Sequence, residues 1–423
     1  MSMTRRRRRP SNPLWVFTLV VLVGAAWYFN KTVVPTIPAM FEPTPTATRS
    51  PESFISDAEG FYKSGKLKQA IDAYKQAILV NPKNPAIYIA MGQVMVFNGQ
   101  YSDAQKAAED ALILNPDNSM AYAVKGWALD KLGDYLNAEA AVNQALEIDR
   151  NNAYAYAYLT EILLDRGNFE DIDQAIADSR KAQELAPNLL ETHRARGYVL
   201  LQTQNYEDAI TEYKAALAIN DKIWDLHYSL GTVYKSMAAD PQSTSTNTSD
   251  DYSLAVQEFL SAGALNPTNP DPMTMAARTE LAAGQYGKAA QYAEQAVNLA
   301  PTEPKLHAYL GYYYYKNQQY DKAILELSLF VRGGTTANGD VVKGVPLAPD
   351  GVVDYYYSVY SLALSKANSC NDAVPVAQLI LQNIAQDQNS YYNAGIAIQN
   401  CQEAAAAGPT AGAATTAAPT ATP

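Results

Sequence analysis

Residues 85–152 read PAIYIAMGQVMVFNGQYSDAQKAAEDALILNPDN followed by SMAYAVKGWALDKLGDYLNAEAAVNQALEIDRNN, two blocks of 34 residues. Laid one under the other, they agree at the small and aromatic positions. Gly92 aligns with Gly126, Ala104 with Ala138, Ala111 with Ala145 and Tyr101 with Tyr135. The interval runs outward in both directions. Ala70 and Ala77 stand 34 residues before Ala104 and Ala111, Pro82 stands 34 before Pro116, and Pro267 and Tyr286 reappear as Pro301 and Tyr320. Several interleaved series with one period do not arise by chance, and a period of this length marks stacked supersecondary units.

The residue types say how such units pack. Helices approach closely only where side chains are small, so Gly92, Gly126, Ala104 and Ala138 mark crossing points. Large residues fill the space beside them: Phe54, Tyr88, Tyr122 and Tyr156 on one helix, Tyr74, Val142, Tyr213 and Phe259 on the next. Gly65, Gly99, Gly133, Gly167 and Gly284 fall between paired helices, where a left-handed residue ends the first. Pro82, Pro116, Pro187, Pro267 and Pro301 close the second helix.

This pattern resembles the tetratricopeptide repeat, a helix, a tight turn, a second helix and a short link. Its twentieth-position alanines run Ala70, Ala104, Ala138, Ala175, Ala209, Ala255, Ala289, Ala323 and Ala373, in steps of 34, 34, 37, 34, 46, 34, 34 and 50 residues. Three repeats therefore carry insertions: near Asn168 to Asp173, at residues 239–251 (ADPQSTSTNTSDD) and at residues 333–351 (GGTTANGDVVKGVPLAPDG). The ninth repeat departs from the pattern at Ser361 and Pro375. The resemblance implies an all-α chain: a right-handed α-solenoid of about nine helix pairs over residues 51–402, plus a capping helix near Ser390 to Gln402 with Gly395 at its eighth position.

The ends differ from the solenoid. Residues 1–12 contain the basic run Arg5–Arg9, and residues 13–30 form an apolar stretch, PLWVFTLVVLVGAAWYFN. About 18 residues just cross a bilayer core, and Trp15, Trp27 and Tyr28 lie where interfacial aromatics belong. Basic residues before the span favour a cytoplasmic N-terminus and an extracytoplasmic body, with the bacterial cytoplasmic membrane as the expected location. A cleaved secretory signal has the same start and core, but Trp27 to Lys31 offer no small-x-small site. Residues 31–50 read as a Pro/Thr-rich linker, and residues 403–423 as a disordered Ala/Thr/Pro tail.

The first 49 residues hold seven basic residues and one acid, which leaves 25 basic and 42 acidic residues in the remainder, a net charge of −17. That balance excludes nucleic acid as a natural partner, since a nucleic-acid protein needs a basic footprint. Two cysteines, Cys370 and Cys401, are too few for a zinc site. The resemblance places them at matching levels of the ninth repeat and the capping helix, and an extracytoplasmic location permits a disulfide between them.

Chemistry is sparse. His193, His227 and His307 all fall at the fourth position of a first helix, a packing position. No nucleophile elbow, P-loop, dinucleotide or metalloprotease fingerprint occurs, so the expectation is a non-enzyme with no cofactor and no metal. By resemblance, the concave groove of first helices carries Tyr62, Phe97, Trp127, Tyr154, Tyr198, Tyr228, Tyr312, Tyr315 and Tyr355, with Gln93, Asp130, Lys131, Glu161, Arg194, Lys235, Arg278 and Lys316 beside them. Aromatics there suit an extended peptide or a protein surface. The expected function is a membrane-anchored interaction scaffold. A glycan or cell-wall recogniser and a non-catalytic subunit of an envelope enzyme are the alternatives.

Overall fold

A computed structural model describes residues 12–33, 49–243, 247–384 and 386–406. The basic run, most of the linker (residues 34–48) and most of the tail (residues 407–423) lie outside these residues. The chain divides into two units, Met1–Ser50 and Pro51–Pro423.

In the first unit, helix α1 spans Pro13–Tyr28 and continues as one π turn over Phe29–Val33. Asn12 caps it by accepting from the Leu14 N–H, and Pro13 occupies the first turn, where a missing N–H costs nothing. The only hydroxyl in its interior, Thr18, bonds back to the Leu14 carbonyl at 3.0 Å. Over Pro13–Thr32 the mean hydropathy is 1.6, and none of its described side chains is buried against protein. By length and composition this helix can cross a membrane.

The second unit is a right-handed α-solenoid of helix pairs. They are α2 Pro51–Lys63 with α3 Leu67–Val80, α4 Pro85–Phe97 with α5 Tyr101–Leu114, α6 Ser119–Lys131 with α7 Tyr135–Ile148, α8 Ala153–Arg166 with α9 Ile172–Leu185, and α10 Leu190–Gln202 with α11 Tyr206–Ile219. Then follow α12 Trp224–Ala239 with α13 Thr248–Leu265, α14 Asp271–Ala282 with α15 Tyr286–Leu299, α16 Pro304–Lys316 with α17 Tyr320–Arg332, α18 Val353–Lys366 with α19 Cys370–Asn383, and the last helix α20 Gln388–Ala406. Each helix packs on its neighbours in sequence, and first helices also touch the first helix of the next pair, as α6 does α8 and α8 does α10.

The periodic residues hold this register. A Cβ placed on Gly126 would lie 2.4 Å from Val142 Cγ2 and 2.8 Å from the Ala138 carbonyl oxygen, so α6 and α7 meet backbone to backbone only because that position is bare. Asn84, Asn118 and Asn152, again 34 apart, cap α4, α6 and α8 by accepting from Ala86, Ala121 and Ala155 at 3.0–3.1 Å. The turn between paired helices is left-handed at Gly65, Gly99, Gly133, Gly167 and Gly284, and at Gln204, Gln318 and Asn368 in three other pairs. Gly395, in α20, has nothing within 4 Å of its Cβ position among the described residues.

The insertions differ from a plain loop reading. The two ends of the 239–251 stretch are helical, since α12 ends at Ala239 and α13 starts at Thr248, capped by Asn247. The 333–351 insertion folds into a two-stranded antiparallel ladder, β1 Gly334–Thr335 with β2 Val341–Val342. The Tyr357 hydroxyl donates to the Val345 carbonyl at 2.7 Å and pins the insertion to α18. Cys370 at the start of α19 and Cys401 in α20 form a disulfide, their Cα atoms 5.5 Å apart.

One contact reaches across the superhelix. The Trp224 indole N–H at the start of α12 donates to the Phe97 carbonyl at the end of α4, 3.0 Å away and 127 residues apart. Beside it, a Cβ on Gly65 would come within 2.8 Å of Lys222 Cβ. The first six repeats therefore complete a turn and touch themselves.

Candidate functional site

That closure leaves a cavity of about 330 Å³ on the concave side, lined from α4, α5, α6, α8, α10, α11 and α12. Its aromatic wall begins with a ladder of rings contributed by successive first helices. Tyr62 meets Phe97 at 5.9 Å between centroids, Phe97 meets Trp127 edge-on at 5.0 Å, and Trp127 stacks flat on Tyr158 at 4.6 Å. Tyr154 leans on Tyr158 at 6.2 Å. The Tyr62, Phe97, Trp127 and Tyr158 rings come from different positions of four successive first helices, 30 to 35 residues apart, so the ladder forms without any local sequence contact.

Charged residues complete the wall. Arg194 lies over the Trp127 ring at 4.5 Å and sends Nε and a terminal nitrogen to the two oxygens of Glu161, each at 2.8 Å. Its other nitrogen donates to Asp225 at 3.1 Å. Lys131 reaches Asp130 and Asp165 at 2.8 Å and Glu161 at 3.5 Å. The Tyr198 hydroxyl donates to the second oxygen of Asp165 at 2.7 Å. Planar guanidinium against planar carboxylate fixes Arg194 while it stacks on indole.

Burial and neighbouring charge set the proton affinities. Burial pushes Asp130 up to about 7, against the lowering pull of Lys131, and pushes Glu191 up to about 7 as well. Burial also raises Asp225 above the usual carboxylate range despite Arg194. Burial alone would lower Lys131, but Glu161, Asp130 and Asp165 hold it well above its ordinary value. Asp165 would also rise on burial, yet Lys131 keeps it below the ordinary carboxylate value.

The residues expected in the groove separate into three sets. Phe97 and Trp127 line the cavity but are only 4% and 1% exposed, because neighbouring first helices and Arg194 cover most of both rings. Tyr62, Tyr154, Tyr198 and Tyr228 are half-buried around the same superhelical turn. Tyr312, Tyr315 and Tyr355 form a separate C-terminal cluster, with Tyr312 packed edge-on against Tyr355 at 5.7 Å. Of the polar residues, Lys131, Glu161 and Arg194 line the cavity. Lys235 and Arg278 lie further along the concave side, and burial with Arg278 nearby lowers Lys235.

Sequence reasoning missed Asp165, Asp225 and Trp224. The first two follow from the repeat: Asp165 stands 34 residues after Lys131, and Asp225 31 after Arg194, one register step along the same face. Trp224 gave no such signal, since its partner lies one superhelical turn away.

The three histidines share one arrangement. Each Nδ1 faces a carboxylate on a second helix at 2.6 Å: His193 with Glu212, His227 with Glu258, His307 with Glu326. The Nε2 of His227 and of His307 faces a backbone carbonyl, that of Asp221 at 3.1 Å and Pro301 at 2.9 Å. These are interhelical ties. Among the described residues no group of three or more His, Cys, Asp or Glu has the geometry of a metal site.

Stacked helix pairs with an aromatic, charged concave face define a helical-repeat solenoid. Family models described as "Tetratricopeptide repeat" match residues 61–128, 121–152 and 274–336, and one described as "TPR repeat" matches residues 197–237. These segments match tetratricopeptide-repeat models, and the helix pairs between them continue the same stacking. Among solved structures, the APC/C hetero-tetramer Cut9–Hcn1 is similar at 15% identity and a TM-score of 0.53, over 66% of this chain and 52% of that one. This chain thus spans about half the length of that relative. The human IFIT1 dimer with PPP-AAAA is similar at 16% identity and a TM-score of 0.52, over 85% and 83% of the two chains. A monomeric IFIT1 mutant with Gppp-AAAA gives 16% identity and a TM-score of 0.54. At such identities the likeness is one of fold. A comparison with curated proteins returns no match.

Proposed function

We propose that this chain is a membrane-tethered scaffold whose solenoid stands outside the cytoplasm and binds an extended protein segment along its concave face. The observation that carries the reading is two clusters of half-buried tyrosines on first helices, Tyr62, Tyr154, Tyr198 and Tyr228 in the first superhelical turn and Tyr312, Tyr315 and Tyr355 further along. Rigid rings offer large contact area at low entropy cost. The exposed apolar helix α1, preceded in sequence by Arg5–Arg9, supports tethering with the N-terminus inside. The Cys370–Cys401 disulfide fits an oxidising compartment. IFIT1 was solved with PPP-AAAA, but a phosphate chain is disfavoured here by the acidic body and the carboxylates at the cavity.

Crosslinking in intact cells with affinity capture tests the groove, comparing the native chain with Tyr312→Ala/Tyr315→Ala and with Tyr154→Ala. Partners captured by the native chain and lost by the variants support it. Identical partners from all three chains move binding off the concave face. Protease added to intact spheroplasts tests topology, since an extracytoplasmic solenoid is digested and a cytoplasmic one is protected.

A further inference from the structure

The cavity has a charge imbalance that its own residues do not correct. Its lining holds two cations, Lys131 and Arg194, and three carboxylates, Glu161, Asp165 and Asp225. Both cations are fully engaged by the contacts above. One oxygen of Asp225 is buried with no hydrogen-bond partner. The indole N–H of Trp127, a lining residue only 1% exposed, also has no acceptor. Buried polar groups are normally satisfied, and such exceptions at a cavity point to something that completes them. The lining also includes the aromatic residues Tyr101, Tyr198, Trp224 and Tyr228, a residue type whose ring faces attract positive charge. A volume of about 330 Å³ is at the small end of ligand sites and fits one long side chain with a little of its backbone.

We infer that the cavity receives one lysine or arginine side chain from an extended segment of a partner protein. This rests on the concave-face reading and specifies it. The cationic head meets the unpartnered oxygen of Asp225, the aliphatic stem lies along the rings, and a backbone carbonyl of the same segment supplies the acceptor that the Trp127 N–H lacks. A bare amine satisfies the carboxylate but not the indole, which is why the occupant is a peptide residue. Charge favours it from a distance as well, since the chain beyond residue 49 carries −17.

The test is calorimetric titration of the full chain in detergent with acetyl-Gly-Arg-Gly-amide, acetyl-Gly-Lys-Gly-amide and acetyl-Gly-citrulline-Gly-amide, with guanidinium chloride as the bare-cation probe. The expected result is saturable one-to-one binding of the first two, at least tenfold weaker binding of the neutral citrulline peptide, and no saturable binding of guanidinium below its denaturing range. Asp225→Asn should weaken the arginine peptide at least tenfold. Thr232→Arg places a tethered cation at the lining without removing a buried carboxylate, and should abolish binding while thermal unfolding stays near native. Citrulline binding as tight as arginine, or native affinity in both variants, overturns the inference. Guanidinium matching the tripeptides overturns the assignment to a peptide. If cellular partners are lost with Tyr312→Ala/Tyr315→Ala but kept with Thr232→Arg, the groove stands and the cavity proposal falls. If they are kept in both, the concave-face reading falls with it.

Discussion

At the residue scale, the turn between paired helices shows what the repeat requires and where this chain departs from it. Five turns use glycine at a φ of 73–81°. Gln204, Gln318 and Asn368 hold the same left-handed conformation with a side chain, at φ of 58–61°. That conformation costs a non-glycine residue about 1 kcal/mol. Gln318→Gly should therefore stabilise the chain by up to about 1 kcal/mol, less the greater freedom glycine has when unfolded. Urea denaturation measures it, and a destabilised variant would show that the Gln318 side chain contributes contacts of its own. The turns are legible wherever glycine marks them. Glutamine carries no such mark, and only the spacing from neighbouring alanines reveals Gln204 and Gln318. The histidines are legible as packing residues by position. Their glutamates are not, since the partner sits 19 residues away in two repeats and 31 in the third, where the insertion lengthens the separation.

At the element scale, α20 is the last described helix of the stack. Its buried face, Ser390, Ala394, Ala397 and Cys401, recurs at helical spacing and covers the last pair. The disulfide to α19 closes a loop with a sequence separation of 31 residues. In the loop-entropy model such a loop contributes about 3–4 kcal/mol. Cys401→Ser should lose stability of that order, and hydrogen exchange should place the loss in α18, α19 and α20 while α4 to α10 keep native protection. Uniform loss along the chain would mean the last repeat is coupled to all the others. The insertions show the limit of element-level reading. Period arithmetic locates them and counts their residues, but the ladder at Gly334–Val342 depends on where Tyr357 can reach from α18, a tertiary fact.

At the scale of the whole molecule, stability should fall as pH rises from about 5.5 to 8. Asp130 and Glu191, raised by burial to about 7, bind protons in the folded chain that the unfolded chain has already lost. Folding is therefore favoured below that range and disfavoured above it. His227 and His307 act in the same direction. Burial opposes their charge, but Glu258 with the Asp221 carbonyl, and Glu326 with the Pro301 carbonyl, raise both above the ordinary value of about 6.5. Their contribution is complete below that value and is lost as pH climbs through the raised one. At the acid end the lowered carboxylates, Asp165 among them, reverse the slope below about pH 4. Differential scanning fluorimetry from pH 3.5 to 8.5 should show a melting maximum in the mildly acidic range, and a maximum above pH 8 would contradict it. The solenoid itself is legible because each repeat restates it. The cavity is not, because it depends on the pitch of six stacked pairs, to which each residue contributes a little and none a visible signal.

The bond from Trp224 to the Phe97 carbonyl changes how force travels through such a chain. An open stack of helix pairs stretches like a spring, each joint yielding slightly, because every repeat holds only its neighbours. Here the first coil is clasped to itself, with Gly65 seated against Lys222. Tension entering at Pro51 meets a closed ring before it meets a spring. The ring resists until the clasp parts, and the compliance resides in the repeats from α14 onward.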